Sequence, residues 1–373
     1  MGYIRNASPL PTRRKSVCLY VSVAIVTFFL LFVLLPLPEQ LEDPRNSLVH
    51  QVAEATKHHL PVATRPGLKY TPSSLQTTKS KLAYATFLAN DDSADRDDGD
   101  INADKYFVGT RILTYQLLHA PETKSTQDIP FIVLVNKHVS EAKRERLRQD
   151  GAIVWEPEPI DPKWIKTEIS TWQFVLGKLR LWELTQFDRI CFIDGDTVLT
   201  RSLDGIFQDP AVQLQPNLDD FSTIRGDEWK QPPSYVFAGT PEMMPQHHYP
   251  PTQAEHDYPN VDYLNAGFFV LHPSLPVLEY YLSLTDTPDR FDPALPEQNL
   301  LNYAHRPQGN MPWAQLDWKW NMHYPTVEDL QGGVFSLHEK WWAPVSRDLS
   351  PFLESWRWRM EGYHEGRDES LVI

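Results

Sequence analysis

Two kinds of apolar pattern alternate along the chain. One is the short uninterrupted run: AYATFLA at 83–89, FIVLV at 131–135, AIVW at 152–155 and RICFI at 189–193. These runs are too short for helices, and their β-branched and aromatic content predicts strands buried on both faces. The other is recurrence every three or four positions. It predicts helices over 106–119, over 140–149 (opened by Ser140 and dense in charge), and over 167–184, where apolar residues fall at 169, 172, 175, 176, 179 and 182. Strand and helix patterns in alternation predict an α/β domain with a mostly parallel central sheet. Ligands of such sheets bind beyond the carboxyl ends of the strands, and Asp194 directly follows the run 189–193.

A different apolar run lies near the amino end. Residues 17–35 carry no charge, and at ~1.5 Å rise per residue they span ~28 Å, close to a bilayer's hydrocarbon core. Arg13, Arg14 and Lys15 precede the run, and Pro36, Pro38, Glu39, Glu42 and Asp43 follow it. The positive-inside rule then predicts a cytosolic tail at 1–16, a single-pass type II anchor at 17–35, and a lumenal remainder. A cleaved signal peptide is the alternative, with a shorter apolar core and a small-residue cleavage site. Residues 36–80, rich in Pro, Thr, Ser, Lys and His, read as a stem, and 81–373 as the lumenal domain. The sequon Asn6-Ala7-Ser8 would face the cytosol, where it is not used.

Composition narrows the function. A formal net charge of -14 argues against general nucleic-acid binding, which needs a basic face. The 12 Trp suit a packed core, and they also suit stacking on sugar rings. Cys18 and Cys191 both lie in apolar runs, which argues against a structural disulfide and a cysteine metal site. The acidic stretch 91–104 lacks the ligand spacing of an EF-hand and reads as a solvated loop.

Several short motifs carry candidate chemistry. Asp194-Gly195-Asp196 is either an ordinary acidic turn or a pair of carboxylates holding one hard cation. The apolar strand that leads into it favours the second reading, because carboxylates there are costly unless they coordinate something. Lys178, upstream in GKLRLW with Arg180, either points to that pocket to offset a diphosphate or is a solvated lysine. Asn265 precedes the run GFFVL among small neighbours and is either a sugar-reading amide or a strand cap. Glu297 and Gln298 open a helix, where Glu297 either serves a reacting anomeric carbon or answers the helix dipole. His338, at the end of a short strand, is either a further metal ligand or a packed histidine.

In order and spacing these motifs resemble the family-8 glycosyltransferases, the glycogenin-like group with the GT-A fold. The match runs from about Lys81 to Trp342, closest over 176–207 and again in YLNAGFFVLHPS and EQNLLN. The resemblance implies a single GT-A domain and retaining transfer from a UDP-sugar (UDP-N-acetylglucosamine or UDP-glucose) to a glycan or glycoprotein acceptor, usually with Mn2+ (or Mg2+). It implies that Asp194, Asp196 and His338 hold the metal and that Lys178 binds donor. Gly195, Asn265 and Ala266 become donor-sugar contacts, and Lys340 the diphosphate lysine. Glu297 stands where the family has a catalytic Asp, and Gln298 where it has Gln. Phe87, Asn90 and Tyr106 fall near nucleoside-binding positions. The chain departs from the pattern in Glu297, in the short spacing of HEKWW at 338–342, and in the acidic insertion before Tyr106. The anchor and stem resemble a membrane-anchored fungal branch acting at the Golgi membrane. Two other functions fit the same chain: an inactive GT-A domain that binds glycans or a partner, and a self-glucosylating initiator, for which Tyr363 is the candidate acceptor.

Overall fold

The computed structural model describes residue 75 and residues 78–370, without 92–98, 168, 224 and 227. These residues belong to one compact unit, Pro66–Ile373. The expected anchor at 17–35, nearly all of the expected stem and half of the acidic stretch lie outside the described residues. No described helix is long and apolar enough to cross a membrane.

In chain order the elements are β1 (Leu82–Leu88), α1 (Lys105–Leu118), β2 (Phe131–Val135), α2 (Glu141–Gln149), β3 (Ile153–Trp155), a 3-10 segment (Ser170–Glu183), β4 (Arg189–Ile193) and β5 (Thr197–Leu199). They continue through the short β6 (Gln215–Pro216) and β7 (Ser234–Tyr235), β8 (Phe237–Pro241), β9 (Leu264–Leu271), α3 (Leu275–Thr285) and α4 (Pro296–Ala304). Last come β10 (Ala314–Gln315), β11 (Met322–His323), α5 (Val327–Gly332), β12 (Ser336–His338) and α6 (Ser350–Ser370).

The sheet, expected to be mostly parallel, is mixed through one reversed strand. Its seven strands run β10-β8-β9-β4-β1-β2-β3. All neighbours pair parallel except β9, which is antiparallel to both β4 and β8. That reversal positions the site. Because β9 runs backwards, its first residues meet the carboxyl end of β4: Ile193 pairs with Phe268, and Asp194 N–H donates to Gly267 O at 2.7 Å. A parallel β9 would carry Asn265 to the opposite sheet edge, on the order of 25 Å away at 3.3 Å per residue. Apolar periodicity does not encode strand direction, so the reversal is invisible in the sequence.

Both sheet faces are buried, as the unbroken runs predict. In β4, Ile190 and Phe192 join the core beneath the 3-10 segment, α3 and α4. Cys191 and Ile193 join the core on the α1 side. In β9 the parity changes: Leu264 and Ala266 face the first core, and then Phe269 and Leu271 do. The switch falls at Gly267 and Phe268, beside an irregularity in the β8–β9 register. A strand that changes face there aims its backbone at the neighbouring carboxylates.

The helix expected over 167–184 forms as a 3-10 segment. Leu176, Leu179 and Trp182 recur every three residues, which suits three residues per turn. Gly177 packs under the Phe87 ring, where an added Cβ would lie 3.1 Å from Cε2. Ile169 and Trp172, expected on the buried stripe, are exposed. Asp104, at the end of the acidic stretch, is not merely solvated. It caps α1 through the N–H groups of Tyr106 and Phe107 and pairs with Lys143 at 2.9 Å.

Candidate active site

Asp194 is the first polar residue after β4, and the chain turns at once, with Thr197 N–H donating to Asp194 O at 3.1 Å. The first turns of α1 press on this loop so closely that a Cβ on Gly109 would lie 2.3 Å from Gly195 O. After the turn, β5 pairs antiparallel with β12, setting Thr197 opposite His338. His338 Nε2 therefore lies 3.4 Å from Asp196 Oδ1, and one ligand atom each from Asp194, Asp196 and His338 falls within 4.8 Å of the others.

This donor set fits a divalent cation. Two carboxylates and one imidazole suit a hard or borderline ion and leave positions for phosphate oxygens. His338 Nδ1 is buried without a hydrogen-bond partner among the described residues, an expense that a bound ligand would relieve. Gly267 leaves the room, for a Cβ there would lie 2.1 Å from His338 Cε1 and 2.9 Å from Asp194 Oδ2. Burial alone would raise the Asp196 carboxyl, but the His338 contact and the Lys340 charge hold it at about 2.

Lys178 is buried in the middle of this chemistry. Its Nζ lies 2.9 Å from Asp194 Oδ1, 3.0 Å from Glu297 Oε1 and 4.7 Å above the Phe192 ring. Burial would strip its charge, but Asp194 and Glu297 reverse that and keep it a firm cation. Glu297, in the first turn of α4, is pushed up to about 7 by burial, against the pull of Lys178. Arg180 points elsewhere, to Glu183 and the carbonyl of Glu158.

The amides expected to read a sugar are largely spent within the protein. Asn265 Nδ2 donates to Glu242 Oε2 at 3.0 Å, and its Oδ1 accepts from Gly267 N–H at 3.0 Å and from Asn321 Nδ2 at 3.5 Å. Gln298 Oε1 accepts from Ala266 N–H at 2.9 Å, and its Nε2 donates to Tyr263 OH at 3.1 Å. These bonds lock α4 to β9. They bring Asn265, Ala266, Glu297 and Gln298 to one edge with Lys178, Asp194, Gly195, Asp196 and His338.

The expected nucleoside and phosphate contacts border this edge. Phe87, partly buried, and Asn90 lie at the carboxyl end of β1. Asn90 is buried and bonded to Asn136 and Asp104, with its Oδ1 unpartnered among the described residues. Tyr106 is exposed, edge-on to Trp342 at 4.9 Å. Partial burial, and then the charges of Asp196 and Asp194, push its phenol up to about 12. Lys340 is exposed and close enough to lower Asp196. Tyr363 is held in α6, its hydroxyl 3.2 Å from His119 Nδ1, rather than on a free tail.

Two site residues escape sequence reasoning. Glu242 follows β8 at the same sheet edge where Asp194 follows β4, and that shared position is the signal it carried. His323 sits in a two-residue strand that leaves no periodic trace, yet its Nδ1 is 2.5 Å from Glu242 Oε1. Burial would raise Glu242, but the His323 hydrogen bond brings its carboxyl down to about 2.

No family model matches the chain. It is 33% identical over 271 residues to the Schizosaccharomyces pombe protein C4C3.09, covering 64% of this chain and 68% of that one. It is 30% identical over 226 residues to galactinol synthase 6 of Arabidopsis thaliana, covering 60% of each. The chain belongs to the family-8 glycosyltransferases. A second Schizosaccharomyces pombe relative, C5H10.12c, is 29% identical over 68% of this chain and 74% of its own length. Among solved structures, the galactosyltransferase LgtC, determined with donor and acceptor sugar analogs, aligns over 75% of this chain and 95% of its own, at 18% identity and a TM-score of 0.42.

Proposed function

We propose that this glycosyltransferase moves a sugar from a UDP-sugar, UDP-glucose or UDP-N-acetylglucosamine, to a glycan acceptor with retention of anomeric configuration. The observation that carries the reading is the Asp194, Asp196 and His338 cluster joined through Lys178 to Glu297. A divalent cation, when held by that cluster, would draw charge from the donor diphosphate and support its departure. Lys178 adds a fixed cation that needs no reorganisation. As the bond from C1 to the diphosphate oxygen breaks, positive charge grows on the sugar ring, and ionised Glu297 opposes it. The acceptor oxygen forms the new bond to C1 on the face that the diphosphate leaves, and its proton passes to the departing phosphate. In the full reading residues 17–35 anchor the chain, 36–80 form its stem, and 81–373 work in the Golgi lumen.

The test is a panel of UDP-sugars with Mn2+ and the full-length chain, reading UDP release. One donor should release UDP well above the rest. A folded chain that neither binds UDP nor releases it from any donor sinks the reading. Glu297→Gln removes the charge and keeps the shape. It should lower kcat by about a hundredfold with donor KM changed only a few-fold, as expected for an interaction made mainly in the transition state. A loss confined to KM would assign Glu297 to ground-state binding instead.

A further inference from the structure

His323 is built into the site more tightly than a rim residue needs to be. Its ring stacks on His338 at 4.6 Å and 26°, across the β11–β12 pairing that sets the two histidines side by side. The other neighbour is Tyr324, whose ring stacks on it at 3.8 Å. Tyr324 holds φ at 54°, a left-handed conformation that a bulky residue adopts only when its surroundings impose it. The imidazole is thus pinned between two rings. His323 hydrogen-bonds to Glu242 through Nδ1, and the 3.3 Å approach of Asn265 Nδ2 to the same atom is then a contact between two donors. A carboxylate can only accept, so Nδ1 carries the proton that goes to Glu242, and in the neutral ring Nε2 keeps its lone pair.

Glu242 is fixed from two sides. His323 holds Oε1, and Asn265 donates to Oε2. Asn265 in turn is buried, and turning it toward a ligand would break its bonds to Glu242, Gly267 and Asn321. The side chains of Glu242 and His323 remain 20% and 18% exposed, at the same sheet edge as the carboxylates. What this edge offers a ligand is therefore acceptors: the spare lone pairs of Glu242 and Nε2 of His323. Sugar hydroxyls are donors that match them.

We propose that His323 is a positioning residue for the transferred sugar, acting through Glu242. This rests on the UDP-sugar reading above. The sugar is bonded directly to the diphosphate that the Asp194, Asp196 and His338 cluster would face, so groups stacked on His338 flank it. Asn265 supports the pair rather than reading hydroxyls itself.

The experiment compares the affinity of the full-length chain for UDP and for the best UDP-sugar of the panel, with Mn2+, by calorimetry. His323→Phe keeps the stacking and loses the Nδ1 donor. UDP-sugar affinity should fall about tenfold, while UDP affinity stays within about twofold, which also shows the variant is folded. His323→Asn places an amide donor where Nδ1 was and should recover most of the loss. Glu242→Gln should reproduce the loss, and combining it with His323→Phe should add little, because the two act as one unit. Equal affinities for UDP-sugar in His323→Phe and wild type overturn the inference alone, as does a double variant whose losses add. A wild-type chain that binds no UDP-sugar overturns the functional reading and this inference with it. Should His323→Phe fail to fold, the His323→Asn and Glu242→Gln pair decides by the same comparison.

Discussion

Asp196→Ala should reduce donor turnover by about a thousandfold, or ~4 kcal/mol of transition-state stabilisation. The carboxylate stands 3.4 Å from His338 Nε2, and its loss would remove one of the two carboxylates that could hold the proposed cation. The local backbone should survive, since Glu339 N–H bonds the carbonyl of Asp196 and not its side chain. Circular dichroism and thermal melting would confirm that the variant is folded. Adding excess Mn2+ should restore little, because a ligand is missing rather than weakened. Wild-type turnover in a folded Asp196→Ala protein would remove the metal from the proposed mechanism.

Gly267→Ala should be nearly as damaging, though it adds only a methyl group. The new Cβ would sit 2.1 Å from His338 Cε1 and 2.9 Å from both His338 Nδ1 and Asp194 Oδ2. Atoms do not approach so closely, so His338 must turn away or β9 must shift. His338 ends β12, between β5 and β11, and is stacked on His323, and Gly267 O is bonded to Asp194 N–H, so neither move is free. Mn2+ affinity, measured by calorimetry or by the signal of free Mn2+ in electron paramagnetic resonance, should fall at least about a hundredfold. Normal Mn2+ affinity in the variant would show that His338 is not a ligand. Gly239 is a useful comparison. A Cβ there would lie 2.7 Å from Leu264 Cδ1, the end of a flexible side chain that can give way.

How much of this was legible depended on the length scale of each feature. The strands were readable because burial on both faces leaves whole apolar runs, and β2 and β4 keep the bounds the sequence predicts. Asp194 was readable as the first polar residue after such a run, and His338 as a residue near the end of a short one. Lys178 was ambiguous, since a charge beside an apolar stripe can face either way. Its two ion pairs resolve that only because β4 and α4 converge on it from distant stretches of chain. The partners of the Asn265 and Gln298 amides, Glu242, Gly267, Asn321, Ala266 and Tyr263, could not be foreseen from the sequence. The 3-10 segment was misread because a spacing of three satisfies both helix types. His323 was missed because a strand of two residues has no period.

The balance of charge around Lys178 carries a consequence for how the enzyme would be loaded. Asp194, Asp196, Glu242 and Glu297 crowd a space where Lys178 and Lys340 are the opposing lysines. A bare nucleotide diphosphate entering that field meets net repulsion, and a divalent cation meets attraction. Under the proposed function the cation enters first or arrives already bound to the nucleotide. Thermodynamic reciprocity then applies: the factor by which cation tightens nucleotide equals the factor by which nucleotide tightens cation. Donor saturation becomes a function of free divalent ion in the compartment, and cation supply acts as a throttle on glycosylation even when nucleotide-sugar is abundant.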